Sequence, residues 1–271
     1  MQYLSLAPSE ALRPWVRCCW TLEDAAPSGP ATIVPDGCAE LVLHLGHLPR
    51  RRAAGPATVA PRAFLVTTVD RPVTLHPDGP LCVAGIRFEP GGQRPWFPAP
   101  LHSLGDGVEV TALLGEGRTR RLLERLSDAA TPAVRLAILE TTLLRWRQPD
   151  RLATGPEHAI RRLLAESHTL DGATIAERTG LSQRTLQRLA RERLGTGIKR
   201  IARVFRFQRA ARRLVAGAPV SLTRLAADTG YADYPHMARD FREFSGQTPA
   251  GLLAGRAPIG EAFLRDGVGM P

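Results

Sequence analysis

The fold of this 271-residue chain is decided by a seven-residue stretch that occurs twice in its second half. The first copy reads IAERTGL at residues 175–181, and the second reads LAADTGY at residues 225–231. Each copy carries an alanine whose small side chain lets two helices cross closely. Each also carries a glycine that can adopt the left-handed turn conformation, which a Cβ would oppose. A short helix that ends at such a glycine and precedes a second helix is typical of a helix-turn-helix unit.

The likeness between the two copies extends into the segment that follows each glycine. After one inserted residue, Leu186 corresponds to Met237, so the second helices also have matching inner faces. Ser182 and Asp233 precede these helices and are favourable N-cap residues. The second helices are predicted at 183–193 and 234–244. Two matching units on one chain predict a double helix-turn-helix domain.

A long helix is predicted between the two units, over about 198–216, and is closed by Gly217 and Pro219. Such a helix is ~28 Å long at ~1.5 Å per residue. This length is close to the ~34 Å that separates successive major grooves on one face of DNA. The two units are therefore predicted to reach adjacent grooves.

The positive charge of the chain is concentrated in the same region. The formal net charge is +10, and residues 182–213 alone contain 11 basic residues and one acidic residue. Residues 1–154 are nearly neutral, with 17 basic and 15 acidic residues. A uniform excess of arginine would not be distributed this way. The pattern favours a polyanionic partner for the helical part alone.

Five basic side chains share one face of the long helix at ~100° per residue. They are Lys199, Arg203, Arg206, Arg209 and Arg213. We expect this face to lie along DNA phosphates. The alternatives are a solvated face whose aliphatic stems cover the core, and structural ion pairs made by Arg206 or Arg209.

Residues 157–256 resemble the two-headed DNA-binding domain of AraC/XylS-type transcriptional regulators. The resemblance is carried by Ile175-Ala176, Gly180-Leu181-Ser182, Arg206-x-x-Arg209-Ala210, Leu225-Ala226, Gly230-Tyr231 and Gly246-Gln247-Thr248-Pro249. It implies a sequence-specific regulator whose partner is double-stranded promoter DNA. It favours an activator over a repressor, and an activator would have RNA polymerase as a further partner.

The resemblance makes 183–193 and 234–244 the recognition helices. Arginine pairs well with guanine and glutamine with adenine, so we expect the first helix to read bases. The second helix is poorer in such groups and is expected to give more backbone and shape contact. For Arg188 and Arg239, an internal ion pair is the alternative. The candidate DNA contacts are Gln183, Arg184, Gln187, Arg188, Arg191, Lys199, Arg203, Tyr234, Pro235, His236, Arg239 and Arg242.

The front part of the chain reads as short strands separated by turns, and 15 of the 23 prolines lie in residues 1–100. The predicted strands are 15–22, 39–45, 64–69, 73–76 and 81–88. Leucine spacing predicts helices at 118–126 and 133–147, followed by a linker at 148–156. We therefore predict an α+β protein. Its parts are a β-rich sensor or dimerisation domain at 1–105, a helical connector at 106–154, the DNA-binding domain at 155–256 and a loosely ordered tail at 257–271.

The front part is similar to the small cupin-like barrels of AraC-type regulators. Motifs that carry this are Leu12-x-Pro14-Trp15-Val16, Pro35-Asp36-Gly37-Cys38-x-Glu40 and Val83-x-Gly85-Ile86-Arg87-Phe88. The resemblance implies that this domain binds a small-molecule effector, pairs two chains as a homodimer, or does both.

Four polar residues of the front part are candidate ligand contacts: Asp36, Glu40, His44 and Arg87. Arg87 is expected either to pair with Glu40 or to face a carboxylate ligand. A metal site is not favoured, because a cupin site would need a His-x-His pair and only His44-x-x-His47 is present. No cofactor is predicted. A metal-dependent cupin-like enzyme fused to a DNA-binding domain is the alternative function, and an architectural DNA binder is a third.

The remaining motifs argue against catalysis and against a membrane. No nucleophile elbow, phosphate loop or paired-carboxylate motif occurs, so we predict that the protein is not an enzyme. The four cysteines, including the adjacent Cys18 and Cys19, are expected as thiols. The sequence shows no secretory signal and no apolar run of ~18 residues, so we expect a cytoplasmic protein without a membrane partner.

Overall fold

The computed structural model describes residues 1–53, 55–67, 70–105, 107–148, 172–216 and 221–254. The predicted linker after Gln148, the helix closure at Gly217 and Pro219, and the predicted tail at 257–271 lie outside the described residues. The α+β class predicted from the sequence is confirmed, with strands in the front part and helices in the back part.

The front part contains ten strands in two antiparallel sheets. The strands are β1 (Gln2–Leu6), β2 (Val16–Asp24), β3 (Ala31–Ile33), β4 (Glu40–His44), β5 (Arg50–Arg52), β6 (Thr58–Val59), β7 (Ala63–Val66), β8 (Val73–His76), β9 (Leu81–Phe88) and β10 (Val108–Glu109). The larger sheet has the order β1-β2-β9-β4-β7-β10, and the smaller has the order β3-β8-β5-β6. The five predicted strands are present, with ends that differ by a few residues.

The central strands of the larger sheet are apolar at consecutive positions. This pattern is typical of a sheet that is covered on both faces. On β4, Leu41 and Leu43 belong to one buried cluster, which includes leucines of the connector helices. Val42, between them, points to the other face and joins a second cluster with Trp20 and Phe64. The two clusters place the helical connector on one side of the sheet and the smaller sheet on the other.

The connector forms three helices: α1 (Val110–Leu114), α2 (Glu116–Ser127) and α3 (Pro132–Trp146). Both helices predicted from leucine spacing are present, and Leu122, Leu126, Leu136, Leu139 and Leu143 are buried as that spacing requires. Leu144, which also lies in the second predicted helix, is 43% exposed. It lies ~100° around the helix from Leu143, beyond the contact with the sheet.

The back part is helical throughout its described residues. Its helices are α4 (Gly172–Thr179), α5 (Gln183–Leu194), α6 (Ile198–Val215), α7 (Leu222–Asp228), α8 (Tyr234–Ser245) and α9 (Pro249–Ala254). The predicted long helix corresponds to α6, and the predicted recognition helices correspond to α5 and α8. Within the described ranges, no helix combines the length and the apolar character that crossing a bilayer requires.

Helix α6 packs directly on a turn of the front domain. The side-chain amide of Gln208 donates a buried hydrogen bond of 2.6 Å to the carbonyl oxygen of Pro35. Gly37 faces the same helix, and a Cβ at this position would overlap the Phe205 ring and approach Ile201 Cδ1 to 2.9 Å. The absence of a side chain at Gly37 is therefore what lets the turn and the helix touch.

A second contact joins the front domain to the C-terminal end of α5. The ring Nδ1 of His102 lies 3.2 Å from the carbonyl oxygen of Arg191. The amide nitrogen of Gln93 lies 3.4 Å from the carbonyl oxygen of Arg193 and donates to it. The front domain therefore holds the end of the first recognition helix as well as the helix that follows it.

One buried residue of β4 predicts how stability depends on pH. Burial, and secondarily the positive charge of Arg62, lower the pKa of His44 from 6.5 to about 4. The unfolded chain then binds a proton between pH 6.5 and pH 4 that the folded chain does not bind, so stability falls as the pH is lowered through this window. At ~1.4 kcal/mol per pH unit, the loss approaches about 3 kcal/mol. Urea denaturation of the wild type and of His44→Gln at pH 7 and pH 4.5 measures this contribution, which the variant should lack.

His47→Gln is the matched control, because His47 lies three residues away and is exposed. It should keep the pH dependence of the wild type. An identical pH dependence in His44→Gln and His47→Gln would contradict the prediction.

Candidate DNA interface

The same turn closes the first helix of both units. The backbone N–H of Leu181 donates to the carbonyl of Ala176 at 3.1 Å, and that of Tyr231 donates to Ala226 at 2.9 Å. The glycine before each donor has a positive φ, 66° in the first unit and 83° in the second. This is the left-handed conformation that the sequence repeat predicted. The two units therefore repeat the turn geometry as well as the sequence.

Both recognition helices begin at a capping side chain. Ser182 Oγ accepts from the backbone N–H of Thr185 at 3.1 Å, and Asp233 Oδ1 accepts from that of His236 at 2.7 Å. These bonds satisfy amide groups that the first turn of a helix leaves without partners. The helices start where the sequence predicted and end one residue later, at Leu194 and Ser245.

The inner faces of the recognition helices are fixed by two separate apolar clusters. In the first unit, Leu186 packs with residues that include Ile201 of α6. In the second, Met237 and Phe241 pack with Phe207 of α6, whose ring makes an edge contact with Phe241 at 5.0 Å. Because α6 contributes to both clusters, each recognition helix has one orientation relative to it.

The outward face of α5 presents the residues that the sequence selected. Gln183, Arg184, Arg188 and Arg191 are exposed, and Gln187 is half-buried. Arg188 forms an ion pair with Glu192 at 3.1 Å, one turn further along the same helix. Exposed pairs of this type stabilise a helix by only ~0.3–0.5 kcal/mol, so the pair is easily exchanged for a contact with DNA.

The outward face of α8 is less exposed to solvent than that of α5. Pro235, Arg239 and Arg242 are exposed, whereas Tyr234 and His236 are half-buried. The His236 ring packs edge-on against Tyr231 at 5.2 Å, in the turn of its own unit. Part of this helix is therefore committed to internal contacts.

The basic face of α6 is used largely inside the domain. Arg203 bonds Asp240 at 2.7 Å and also pairs with Glu243, and both acids lie on α8. Arg206 lies 3.6 Å from the other oxygen of Asp240, as the structural alternative for Arg206 proposed. Lys199 is exposed. The ammonium group of Lys199 is therefore accessible for the predicted phosphate contact. The guanidinium group of Arg203, for which the same contact is predicted, instead faces two carboxylates.

One of the two acids, Glu243, is stabilised in its ionised form by neighbouring arginines. Burial would raise the pKa of Glu243, but hydrogen bonds from Arg200 and Arg203 outweigh it and hold the pKa below its ordinary value. Asp240 is 1% exposed and lies beside Phe241 on the inner side of α8. Sequence reasoning missed Asp240, although an acid between Met237 and Phe241 falls on the buried face and needs a basic partner.

In the front domain, the structure brings the four candidate ligand residues together. Asp36, Glu40, His44 and Arg87 all line one cavity of about 100 Å³ between the two sheets. Arg87 donates to Glu40 at 3.2 Å, which is one of the two pairings expected from the sequence, and lies 3.4 Å from Asp36. Burial raises the pKa of Glu40 despite the nearby positive charge.

The cavity also reaches the DNA-binding domain. Gln208 of α6 lines it, together with apolar side chains that include Trp20, Val42 and Phe64. The indole nitrogen of Trp20 donates to Glu40 at 2.7 Å. Among the described residues, no three His, Cys, Asp or Glu side chains are placed so that they could hold a metal ion together.

The buried carboxylate of Asp240 predicts a large effect on stability. Asp240→Asn removes the charge that faces Arg203 and Arg206, and leaves two partly buried guanidinium groups without it. Because Arg203 is 34% exposed, we expect a loss of about 2–3 kcal/mol, below the range for fully buried pairs. Urea denaturation measures the loss. Glu192→Gln, which removes an exposed pair, should cost less than about 0.5 kcal/mol, and equal losses in the two variants would contradict the assignment.

Two family comparisons cover most of the described chain. Residues 175–254 match a family described as a helix-turn-helix domain, and residues 4–109 match a domain of unknown function, DUF6597. The HTH-type transcriptional regulator GlxA of Rhizobium meliloti (strain 1021) is 39% identical over 83 residues, which is 31% of this chain. The chain covers 25% of the length of that relative.

Solved structures extend the likeness to both domains. ToxT from Vibrio cholerae aligns with a TM-score of 0.50 and 12% identity, over 87% of this chain and 98% of that chain. ToxT from Vibrio cholerae O395 bound to (E)-4-(8-methylnaphthalen-1-yl)but-3-enoic acid aligns with a TM-score of 0.52 and 10% identity over the same shares. At these identities the likeness shows the fold. The chain therefore carries a C-terminal region of the helix-turn-helix family behind a β-rich front region that matches DUF6597, and the two together have a fold like that of ToxT.

Proposed function

We propose that the protein is a sequence-specific DNA-binding transcriptional regulator that inserts α5 and α8 into adjacent major grooves. The observation that carries the proposal is the repetition of turn and cap geometry in two units joined by one helix. A single such turn occurs in many helical proteins. Two copies with outward arginines, the first of them in the most basic stretch of the chain, match the requirements of a duplex.

The two heads are proposed to contribute differently. α5 presents exposed glutamine and arginine side chains that can make bidentate contacts with base edges. α8 presents Arg239 and Arg242 but has half-buried Tyr234 and His236, so it gives mainly phosphate and shape contacts. Activation through RNA polymerase and the pairing of two chains stay predictions of the family resemblance.

Base reading and phosphate contact are separated by two substitutions. Arg184→Ala should cost about 1–3 kcal/mol of binding free energy and relax the preference at one position of the site. Lys199→Ala should weaken binding to all sequences alike and reduce the slope of log affinity against log salt by about 1. Titration on the bound promoter segment and on single-base variants of it, at several salt concentrations, measures both effects.

Arg120→Ala is the control for a lost positive charge, because Arg120 is on connector helix α2 and is 69% exposed. It should leave affinity and preference unchanged. An Arg184→Ala variant that keeps its sequence preference would remove Arg184 from the reading residues, and an unchanged salt slope would do the same for Lys199 as a phosphate contact.

We further propose that the front domain binds a small, largely apolar effector in the cavity between its sheets. The walls are mainly apolar, and Arg87, Asp36 and Glu40 provide the polar end. This combination is typical of small-molecule sites. ToxT, which shares the fold, has been crystallised with a naphthalene-bearing butenoic acid.

The position of the cavity supports a route from the effector to DNA. Gln208, on the helix that joins both heads, lines the cavity and bonds the Pro35 carbonyl. The turn that contains Pro35 and helix α6 can have more than one relative arrangement. An effector that binds more tightly to one of these arrangements shifts the population toward it. Because the front domain also holds the C-terminal end of α5, this shift changes how freely the first head can enter a groove.

Benzene is a probe for the cavity, since a small apolar cavity of about this size accepts it. Saturating benzene should raise the Tm of the wild type and change its affinity for DNA. Val83→Phe fills the cavity and should lose both responses. Val59→Phe, at a position that is 57% exposed, should keep both. Thermal unfolding and DNA titration, each compared with the same variant without benzene, measure the responses.

Gly37→Ala tests the route separately. Its Cβ would displace the turn from α6, so benzene should still raise the Tm while the change in DNA affinity is lost. Gly55→Ala is the control, because Gly55 has a similar positive φ of 71° but nothing within 4 Å of the added atom. A benzene response that survives Val83→Phe would refute the cavity as the site.

A further inference from the structure

An arginine-lined groove lies between connector helices α2 and α3, away from both the DNA-reading face and the effector cavity. Its volume is about 380 Å³, which is within the range of small-molecule sites. The residues that line it are Arg118, Arg121, Leu122 and Arg125 of α2, and Thr141, Thr142, Arg145 and Trp146 of α3. The arginines on α2 are three and four positions apart, so they share one side of the helix.

The described residues of the groove gather positive charge. Among them, four guanidinium groups line the groove and no carboxylate does. In the part of the chain that the structure describes, none of these four arginines has a hydrogen bond or an ion pair. Their neighbour Arg120 is different, since it pairs with Glu124 at 3.7 Å elsewhere on α2. Like charges held together repel one another, so an anion in the groove would be favoured.

A buried hydroxyl in the same groove also lacks a partner. Thr142 is 4% exposed, and its buried Oγ1 has no hydrogen-bond partner among the residues that the structure describes. The adjacent Thr141 bonds the carbonyl of Ala137 at 2.8 Å, as helical threonines commonly do. An unsatisfied buried hydroxyl costs ~1–3 kcal/mol. Because this oxygen is buried, a ligand oxygen in the groove would satisfy it once the Thr142 side chain rotates toward the ligand.

Trp146 adds a flat apolar surface at one end of the groove. It is half-buried at the last position of α3 and packs on the core of the front domain. An indole in this position can stack against a planar ring, and the arginines can bind phosphate oxygens in a bidentate way. We propose that the groove binds a nucleoside di- or triphosphate, with the phosphates among the arginines and the base on Trp146.

The shape of the site favours a small anion over duplex DNA. The charges line a recess between two helices instead of following a protruding ridge. The DNA-reading faces of α5 and α8 already account for the contacts that a duplex requires. This proposal does not depend on which promoter or effector the protein recognises.

Isothermal titration calorimetry of the full chain with ATP and with inorganic tripolyphosphate tests the proposal. Arg121→Gln and Arg145→Gln should each raise the Kd for both probes about tenfold, which corresponds to about 1.4 kcal/mol. Thr142→Val, which removes only the hydroxyl, should also weaken both. Arg120→Gln is the matched control on the same helix and should leave both Kd values unchanged.

Trp146→Leu separates a nucleotide from a plain polyphosphate. If the base stacks on the indole, the wild type binds ATP more tightly than tripolyphosphate, and the variant binds the two equally. Equal affinities in the wild type, with no effect of Trp146→Leu, would overturn the assignment of a nucleotide. The thermal unfolding transition of the variant establishes that it is folded, because Trp146 also packs on the core.

The DNA-binding domain is itself basic, so its contribution is measured in parallel. Arg184→Ala should leave the affinity for ATP unchanged. Loss of ATP binding in Arg184→Ala, or an equal loss in Arg120→Gln and Arg121→Gln, would overturn the proposal. So would a loss of duplex affinity in Arg121→Gln and Arg145→Gln without any loss of ATP affinity.

Discussion

The packing of helix α6 against three neighbours at once is the constraint on which the rest of the structure depends. Ile201 lies in the apolar cluster of the first unit, and Phe207 lies in that of the second. Gln208, the next residue, turns to the front domain and bonds Pro35. Because a helix turns ~100° per residue, adjacent positions can serve different partners. The positions of both helix-turn-helix units and of the front domain are therefore set by one helix.

The same helix changes the meaning of the net charge. The excess of arginine in residues 182–213 predicts a polyanionic partner, yet Arg203 and Arg206 of this segment face Asp240 on α8. Their charge holds the second unit against α6 instead of being directed at phosphates. The exposed basic groups of α5, with Lys199 at the start of α6, remain accessible for the proposed contact with DNA. When some arginines of a segment form internal ion pairs, the net charge of that segment overestimates the positive charge that faces a DNA partner.

The sequence predicted most accurately the features that local rules control. The recognition helices start at their capping residues, Ser182 and Asp233, because a side-chain acceptor and the first free amides lie within three residues of each other. The glycine turns were predictable for the same reason. Strands such as β5 and β6 were not, since two or three residues are too few to show periodicity and their pairing depends on distant segments.

Contacts between distant segments lay beyond sequence reasoning. The arginines at 118, 121 and 125 are visibly on one side of a helix, but their approach to Arg145 and to the Thr142 hydroxyl depends on how α2 packs on α3. The four ligand candidates were predicted from two segments of the front part, whereas the contribution of Gln208 to the same cavity comes from another domain. Patterns identified the chemical groups, and the tertiary fold determined which of them meet.

The interface between the domains combines a specific hydrogen bond with an unsatisfied buried donor. It partly buries Arg212 of α6, and burial, followed by the charge of Arg17, lowers the pKa of its guanidinium. Among the described residues, the Nε of Arg212 has no hydrogen-bond partner, and an unsatisfied buried donor costs free energy. The Gln208–Pro35 bond and the close approach at Gly37 act in the opposite direction. The contact between the domains is therefore less stable than one in which every buried donor is paired. This is the property that the proposed route from an effector in the adjacent cavity to α5 and α6 requires.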